Sequence, residues 1–112
     1  AIRDYVHVLD LADAHALALE ALRTGEGPIG AFNLGTRDGA TVREVVETVE
    51  RVTGKIVPVQ YAERRPGDPP VLVADSTRAR EVLRWEPKRS TLDEMVDSAW
   101  RWHQAHPKGY AD

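Results

Sequence analysis

The 112-residue sequence contains no cysteine, few aromatic residues and no long hydrophobic run. Without cysteine, the chain can form neither a disulfide framework nor a metal site built on thiolates. Its apolar runs fall far short of the roughly 20 residues that a membrane-spanning helix needs. The chain also does not open with the pattern of a signal peptide. From these absences we expect a reducing, cytoplasmic location and no membrane partner.

An excess of positive charge is also absent, because the formal net charge is −3. A field of this sign does not attract nucleic acid, so we expect no nucleic-acid partner, and any anion site must come from a local cluster. The length and the hydrophobic fraction of 42% suit one modest domain with one core. The chain starts with the strand-like AIRDYVHV and no initiator methionine, so we expect part of a longer protein, although processing would give the same start.

Apolar periodicity and capping residues predict strands that alternate with helices. The predicted strands are 3–8, 31–34, 56–61 and 71–75. The predicted helices start at caps Asp10, Thr41, Ser76 and Thr91 and end near 24, 54, 85 and 106. Thr41–Glu44 and Thr91–Glu94 have the spacing of a capping box. The alternation indicates an α/β fold, with a soft boundary at the proline-rich loop 62–70.

The stretch GEGPIG has glycines at 25, 27 and 30, which is the G-x-G-x-x-G spacing of a dinucleotide-binding loop. Such a loop must leave a strand and open a helix, so that the helix N-terminus meets the pyrophosphate. Here a helical pattern precedes Gly25, a strand-like run follows Gly30, and Pro28 lacks an amide donor. We interpret the stretch as a helix-to-strand turn with Gly25 as a helix C-cap, and not as a cofactor site.

The strongest candidate for a binding site is the stretch Arg64-Arg65-Pro66-Gly67-Asp68. Arginine donates in a rigid fork that matches phosphate oxygens, and Asp68 can accept hydrogen bonds from sugar hydroxyls. The stretch is typical of a grip on a diphosphate and a ribose, and a solvated loop with an Arg–Asp pair is the alternative. Arg3 and Tyr5 are further candidates because alternate strand residues share a face, although an ordinary exposed strand has the same pattern.

Metal binding and serine nucleophiles have little support in the sequence. Four residues near the start could be metal ligands but lack the i, i+4 histidine spacing of a zinc-binding helix: His7, Asp10, Asp13 and His15. The serines that we considered start or lie within predicted helices, and G-x-S-x-G is absent. We therefore expect no metal site in this chain.

Taken as a whole, the chain resembles the C-terminal part of the UDP-glucose 4-epimerases, a family of extended short-chain dehydrogenases/reductases. The resemblance is carried, in order, by RDYVHVLDLADAH, AFNLG, ERRPGD, ADSTRAREVLRWEP, TLDEM and WRWHQAHPKGY. The first motif is common to nucleotide-sugar epimerases and dehydratases, and RRPGD with the closing motif is more particular to 4-epimerases. Another epimerase or dehydratase of the family, or a non-catalytic nucleotide-binding or assembly module, stays open as an alternative.

The resemblance implies an activity: interconversion of UDP-glucose and UDP-galactose through a 4-keto intermediate with NAD. It implies that Arg3 and Arg65 bind the UDP diphosphate, that Asp68 contacts the ribose, and that Tyr5 lines the UDP pocket. NAD and a catalytic Tyr-x-x-x-Lys pair would belong to an N-terminal domain outside this chain. This chain would then hold no catalytic residue and would be inactive alone.

The resemblance also implies a division of the chain. Residues 1–61 would be edge strand–helix units of a Rossmann-type nucleotide-binding domain, and residues 62–112 a small mixed α/β subdomain that binds the UDP-sugar. Separated from the N-terminal domain, such a chain would expose strand edges and apolar helix faces. We therefore expect self-association, with a homodimer formed by strand exchange as one candidate.

Overall fold

The computed structural model describes residues 1–25 and 30–110, and in these residues short strands alternate with helices. The strands are β1 (Ile2–Arg3), β2 (Ala40–Thr41) and β3 (Val71–Leu72). The helices are α1 (Val8–Thr24), α2 (Val42–Thr53), α3 (Thr77–Val82) and α4 (Leu92–Ala105). The strands form one mixed sheet in the order β2-β1-β3, which confirms the α/β prediction.

The central strand β1 runs antiparallel to β2 and parallel to β3. The paired residues are Ile2 with Thr41 and Val71, and Arg3 with Ala40 and Leu72. The Ile2 amide also donates to the Pro70 carbonyl at 2.8 Å. Because strands this short contribute few ladder hydrogen bonds, contacts outside the strands must help to hold their register.

Local capping accounts for the starts of α2 and α4. The hydroxyl of Thr41 accepts from the Glu44 amide at 3.0 Å, and that of Thr91 accepts from the Glu94 amide at 3.2 Å. Each contact satisfies an amide that has no partner inside its own helix. Both predicted helix starts are therefore confirmed.

The start of α1 differs from the prediction, and its end agrees with it. The ring nitrogen Nδ1 of His7 accepts from the Leu9 amide at 3.0 Å, so His7 is the N-cap. The predicted cap, Asp10, lies instead inside the first turn of the helix and is fully buried. At the other end Gly25 has a φ of 68° and caps the helix, as predicted.

The predicted strands 31–34 and 56–61 are wrong, since neither segment pairs with a strand among the described residues. The first run is apolar because Phe32 and Leu34 pack against the core. The second run is exposed, with Ile56 90% and Tyr61 81% accessible. A short apolar run does not supply the neighbour that a strand needs for its hydrogen bonds.

Three other predicted elements are shorter in the structure than in the sequence-based assignment. The predicted strands 3–8 and 71–75 are reduced to β1 and β3. The predicted helix 76–85 ends at Val82, because Arg84 adopts a left-handed φ of 56° and turns the chain. That turn lets Trp85 enter the core.

Trp85 lies at the centre of the core, fully buried and packed with Ala14, Ala79 and Leu83. Its indole Nε1 donates to the Asp10 carbonyl at 2.8 Å. α1 therefore packs against the segment around α3, and α2 packs on α4. Both contacts, like the β1–β3 pairing, join residues from the two sides of the predicted boundary at 61/62.

The chain exposes more surface than a compact protein of its size. Its accessible surface is 8676 Å² and its radius of gyration is 17.0 Å. A compact monomer of 12.5 kDa would have about 6,200 Å² and about 13 Å. The excess of about 2,500 Å² includes exposed apolar side chains along α1, namely Val8, Leu9, Leu19 and Leu22. None of the helices in the described chain combines the length and hydropathy that crossing a membrane requires.

Candidate functional site

Residues 65–68 form a tight turn that presents Arg65 and Asp68 side by side. Pro66 is followed by Gly67 with a φ of 83°, and the Asp68 amide donates to the Arg65 carbonyl at 3.3 Å. Proline followed by glycine at positive φ is the signature of a type II turn. The Arg65 guanidinium donates to the Asp68 carboxylate at 2.9 Å, so the turn and the ion pair support the same loop shape.

β1 brings a second guanidinium to the same carboxylate. Nη2 of Arg3 lies 3.8 Å from Oδ1 of Asp68, and Nη1 of Arg3 donates to the Ile2 carbonyl at 2.8 Å. The side chain of Arg3 is 26% exposed, that of Asp68 40% and that of Arg65 84%. The turn comes shortly before β3, and β3 lies parallel to β1, so the sheet brings Asp68 next to Arg3.

This cluster has the chemistry of a binding site for an anion that carries hydroxyl groups. Each guanidinium has five N–H donors in a planar fork, and only a few are used in the contacts given above. Two arginines around one carboxylate also leave a surplus of positive charge, which favours a phosphate or diphosphate. The Asp68 carboxylate can in addition accept hydrogen bonds from neighbouring hydroxyls.

The structure places Tyr5 in different surroundings from the other three candidates. β1 ends at Arg3, so the strand alternation that would put Tyr5 on the same face does not continue. Tyr5 lines a cavity of about 220 Å³ with residues that include Thr36, Gly39 and Thr91. None of Arg3, Arg65 and Asp68 lines that cavity. The structure thus brings three of the four predicted binding residues together.

Asp4 lies beside the site and did not stand out in the sequence. Its Oδ1 accepts from the amide and hydroxyl of Thr36 at 2.8 and 2.7 Å, and its Oδ2 accepts from the amides of Ala74 and Arg37 at 3.2 and 3.3 Å. Burial alone would raise the pKa of Asp4, but the bonds from Thr36, Ala74 and Arg37 outweigh it and hold the pKa below the usual 3.8. No sequence signal could identify these partners, because they lie 32 to 70 residues away.

The glycine run at 25–30 does not fit a dinucleotide cradle. Gly25 ends α1, so a helix precedes the run where the fingerprint requires a strand. Gly27 and Pro28, which belong to the same GEGPIG stretch, lie outside the described residues. Within residues 1–25 and 30–110, no three His, Asp or Glu side chains are grouped as metal ligands would be.

Known proteins match nearly the whole chain. The family model described as GDP-mannose 4,6 dehydratase matches residues 1–99. The chain belongs to this family. Among curated relatives, the UDP-glucose 4-epimerase of Halalkalibacterium halodurans is 52% identical over 98% of the chain.

Solved structures of UDP-glucose 4-epimerases also match the chain. A crystal structure of a UDP-glucose 4-epimerase is 44% identical and matches the whole chain with a TM-score of 0.94. The UDP-glucose 4-epimerase from Bifidobacterium longum, solved with NAD⁺ and UDP, is 33% identical and matches 98% of the chain with a TM-score of 0.83. The chain spans about a third of the length of each of these proteins.

These matches confirm the resemblance to UDP-glucose 4-epimerases and the fold class that it implies. They leave the binding roles of Arg3, Tyr5, Arg65 and Asp68 as predictions.

Proposed function

We propose that this chain is the C-terminal part of a UDP-glucose 4-epimerase and supplies the grip on the UDP diphosphate and ribose. The observation that carries the proposal is the convergence of Arg3 and Arg65 on Asp68. These residues come from segments far apart in the sequence, and they combine phosphate-binding forks with an acceptor for hydroxyls. The similarity to epimerases, one of them solved with UDP, supports the same ligand.

In this proposal the two guanidinium groups bind the diphosphate oxygens, and the Asp68 carboxylate accepts hydrogen bonds from the ribose. Tyr5, in its neighbouring cavity, lines the pocket further along the nucleotide. Binding energy at the nucleotide positions the hexose, which raises the effective concentration of its reacting carbon at the catalytic groups.

The chemistry itself belongs to the rest of the protein. NAD, when bound there, would supply the hydride acceptor and donor for C4 of the hexose. This chain would hold the nucleotide and orient the sugar. The full reaction would interconvert UDP-glucose and UDP-galactose through a 4-keto sugar. Another nucleotide-sugar epimerase or dehydratase is the second candidate, because the matching family model is described as a dehydratase.

We also propose how the chain is divided between the domains of the complete protein. Residues 1–61 would complete the edge of the nucleotide-binding domain, and residues 62–112 would form the UDP-sugar subdomain. The excess accessible surface and the exposed leucines of α1 support contacts with an N-terminal domain. A homodimer and a cytoplasmic location are further parts of the proposal.

The decisive experiment titrates UDP and uridine into the complete protein by calorimetry. Arg3→Ala and Arg65→Ala should each weaken UDP binding by about 10- to 100-fold, since each removes charge-assisted hydrogen bonds to phosphate. Uridine, which lacks the diphosphate, should bind each variant about as it binds the wild type.

Arg64→Ala is the matched control. It removes the same charge from an exposed residue of the same loop and should change UDP affinity by no more than about threefold, as an exposed charge does. UDP binding that neither Arg3→Ala nor Arg65→Ala weakens would overturn the proposed grip.

A further inference from the structure

The Arg3–Asp68–Arg65 cluster depends on how firmly β1 and β3 are held side by side. Arg3 lies on β1, whereas Arg65 and Asp68 lie on an exposed loop that leads into β3. The two strands pair over only two residues each. A pairing this short needs further contacts to fix the separation of the two arginines.

The side chain of Asp4 supplies such a contact. Asp4 follows Arg3 directly, and its Oδ2 accepts from the amide of Ala74, just beyond the end of β3. The Asp4 carboxylate thus accepts the kind of hydrogen bond that a main-chain carbonyl of β1 would accept if β1 and β3 stayed paired beyond Leu72. Its other oxygen accepts from the amide and hydroxyl of Thr36, so the same group also anchors the loop before β2.

Loop 35–37 approaches the Asp4 carboxylate closely at Gly35. A Cβ added at Gly35 would overlap Oδ2 of Asp4 and lie 2.8 Å from the Cβ of Ala74. The hydroxyl of Ser76 donates to the Gly35 carbonyl at 3.0 Å and holds the loop from the other side. Loop 35–37, Ala74 and the end of β1 therefore meet at one ionised group.

We propose that Asp4 is a positioning residue that holds the Arg65–Asp68 turn in place against Arg3. The inference rests on the proposed function of that cluster in binding UDP. Asp4 itself touches no part of the cluster's ligand in this scheme. It acts through the binding residues of the turn, so most of its contribution disappears when Arg65 is removed.

The test is a double-mutant cycle on UDP binding in the complete protein. Asp4→Asn places an NH₂ group where the carboxylate accepts from amide donors, and should raise the Kd for UDP about tenfold. In an Arg65→Ala background the same change should raise the Kd by less than about threefold, because only the Asp68 contact with the ribose then still depends on Asp4. In turnover of the UDP-sugar, Asp4→Asn should raise KM by a larger factor than it lowers kcat.

Asp97→Asn is the control, since it removes one charge from an exposed residue of α4, outside the Arg3–Asp68–Arg65 cluster and the Tyr5 cavity, and should leave UDP affinity unchanged. Thr36→Val, which removes only the hydroxyl donor to Asp4, is the milder variant if Asp4→Asn does not fold. It should raise the Kd about two- to threefold when Arg65 is present, and by less when Arg65 is replaced by alanine.

Two results would overturn the inference. One is a UDP affinity that neither Asp4→Asn nor Thr36→Val changes, and the other is an equal loss with and without Arg65. Wild-type protein that binds no UDP would instead overturn the proposed function on which the inference rests.

Discussion

Gly67→Ala tests whether the type II turn organises the grip on UDP. Gly67 has a φ of 83° and no heavy atom within 4 Å of the position that a Cβ would occupy. The added methyl group therefore meets no neighbour, and the whole effect comes from the backbone. An L-residue in a left-handed conformation is less stable by about 1–2 kcal/mol than in its preferred regions.

That strain shifts the loop away from the turn by a factor of about 5 to 30. If only the turn holds Arg65 and Asp68 in the binding arrangement, UDP affinity falls by up to the same factor. Calorimetric titration of the complete protein with UDP at 25 °C measures the change.

Gly54→Ala is the matched control. Gly54 has a φ of 71° and equally open surroundings, but it caps α2 away from the candidate site. The two substitutions should lower the free energy of unfolding by similar amounts, and only Gly67→Ala should weaken UDP binding. Equal UDP affinities in the two variants would refute a role for the turn.

Three further predictions concern the core, the charge of the cluster and the pH dependence of the stability that Asp4 provides. Trp85→Ala should lower the free energy of unfolding by about 3–5 kcal/mol, because it leaves a cavity at the core centre and removes the hydrogen bond to the Asp10 carbonyl. A loss under about 1 kcal/mol in urea denaturation would contradict this. Asp68→Asn should strengthen binding of inorganic pyrophosphate about two- to fivefold and weaken that of UDP, and calorimetry showing both weakened would argue against the assigned roles. Because the folded-state pKa of Asp4 lies below its usual 3.8, its stabilisation is present above about pH 3.8 and is lost as pH falls through the folded value. Acid unfolding of Asp4→Asn should lack that component, whereas wild-type and variant profiles that run parallel would contradict it.

Local chemistry made part of the structure predictable. The two capping boxes and the glycine that ends α1 act within a few residues, so the sequence alone identifies them. The turn at 65–68 has an equally local cause, a proline followed by a glycine at positive φ, although the sequence was interpreted there only as a proline-rich loop. The order of the motifs along the chain also indicated the resemblance to UDP-glucose 4-epimerases, which the comparisons with known proteins confirm.

Strand pairing was much less predictable. The runs 31–34 and 56–61 have strand-like composition, yet one packs on the core and the other is exposed. Composition reports burial and β-propensity, whereas a strand exists only where another strand accepts its hydrogen bonds. Tyr5 was grouped with Arg3 for the same reason, because strand alternation was assumed beyond the end of β1.

The sequence by itself determined the caps that start α2 and α4, the glycine that ends α1 and the family, because each depends on neighbouring residues or on a recognisable motif. It also singled out Arg3, Arg65 and Asp68 as candidates for binding a diphosphate and a ribose, which stays a prediction. Only the tertiary structure decided that Arg3 and Arg65 share Asp68, that Tyr5 lies in another cavity, and that Asp4 joins three segments. Those contacts link residues up to 70 positions apart. Their geometry follows from how β1, β3 and the loops pack together, which no local pattern encodes.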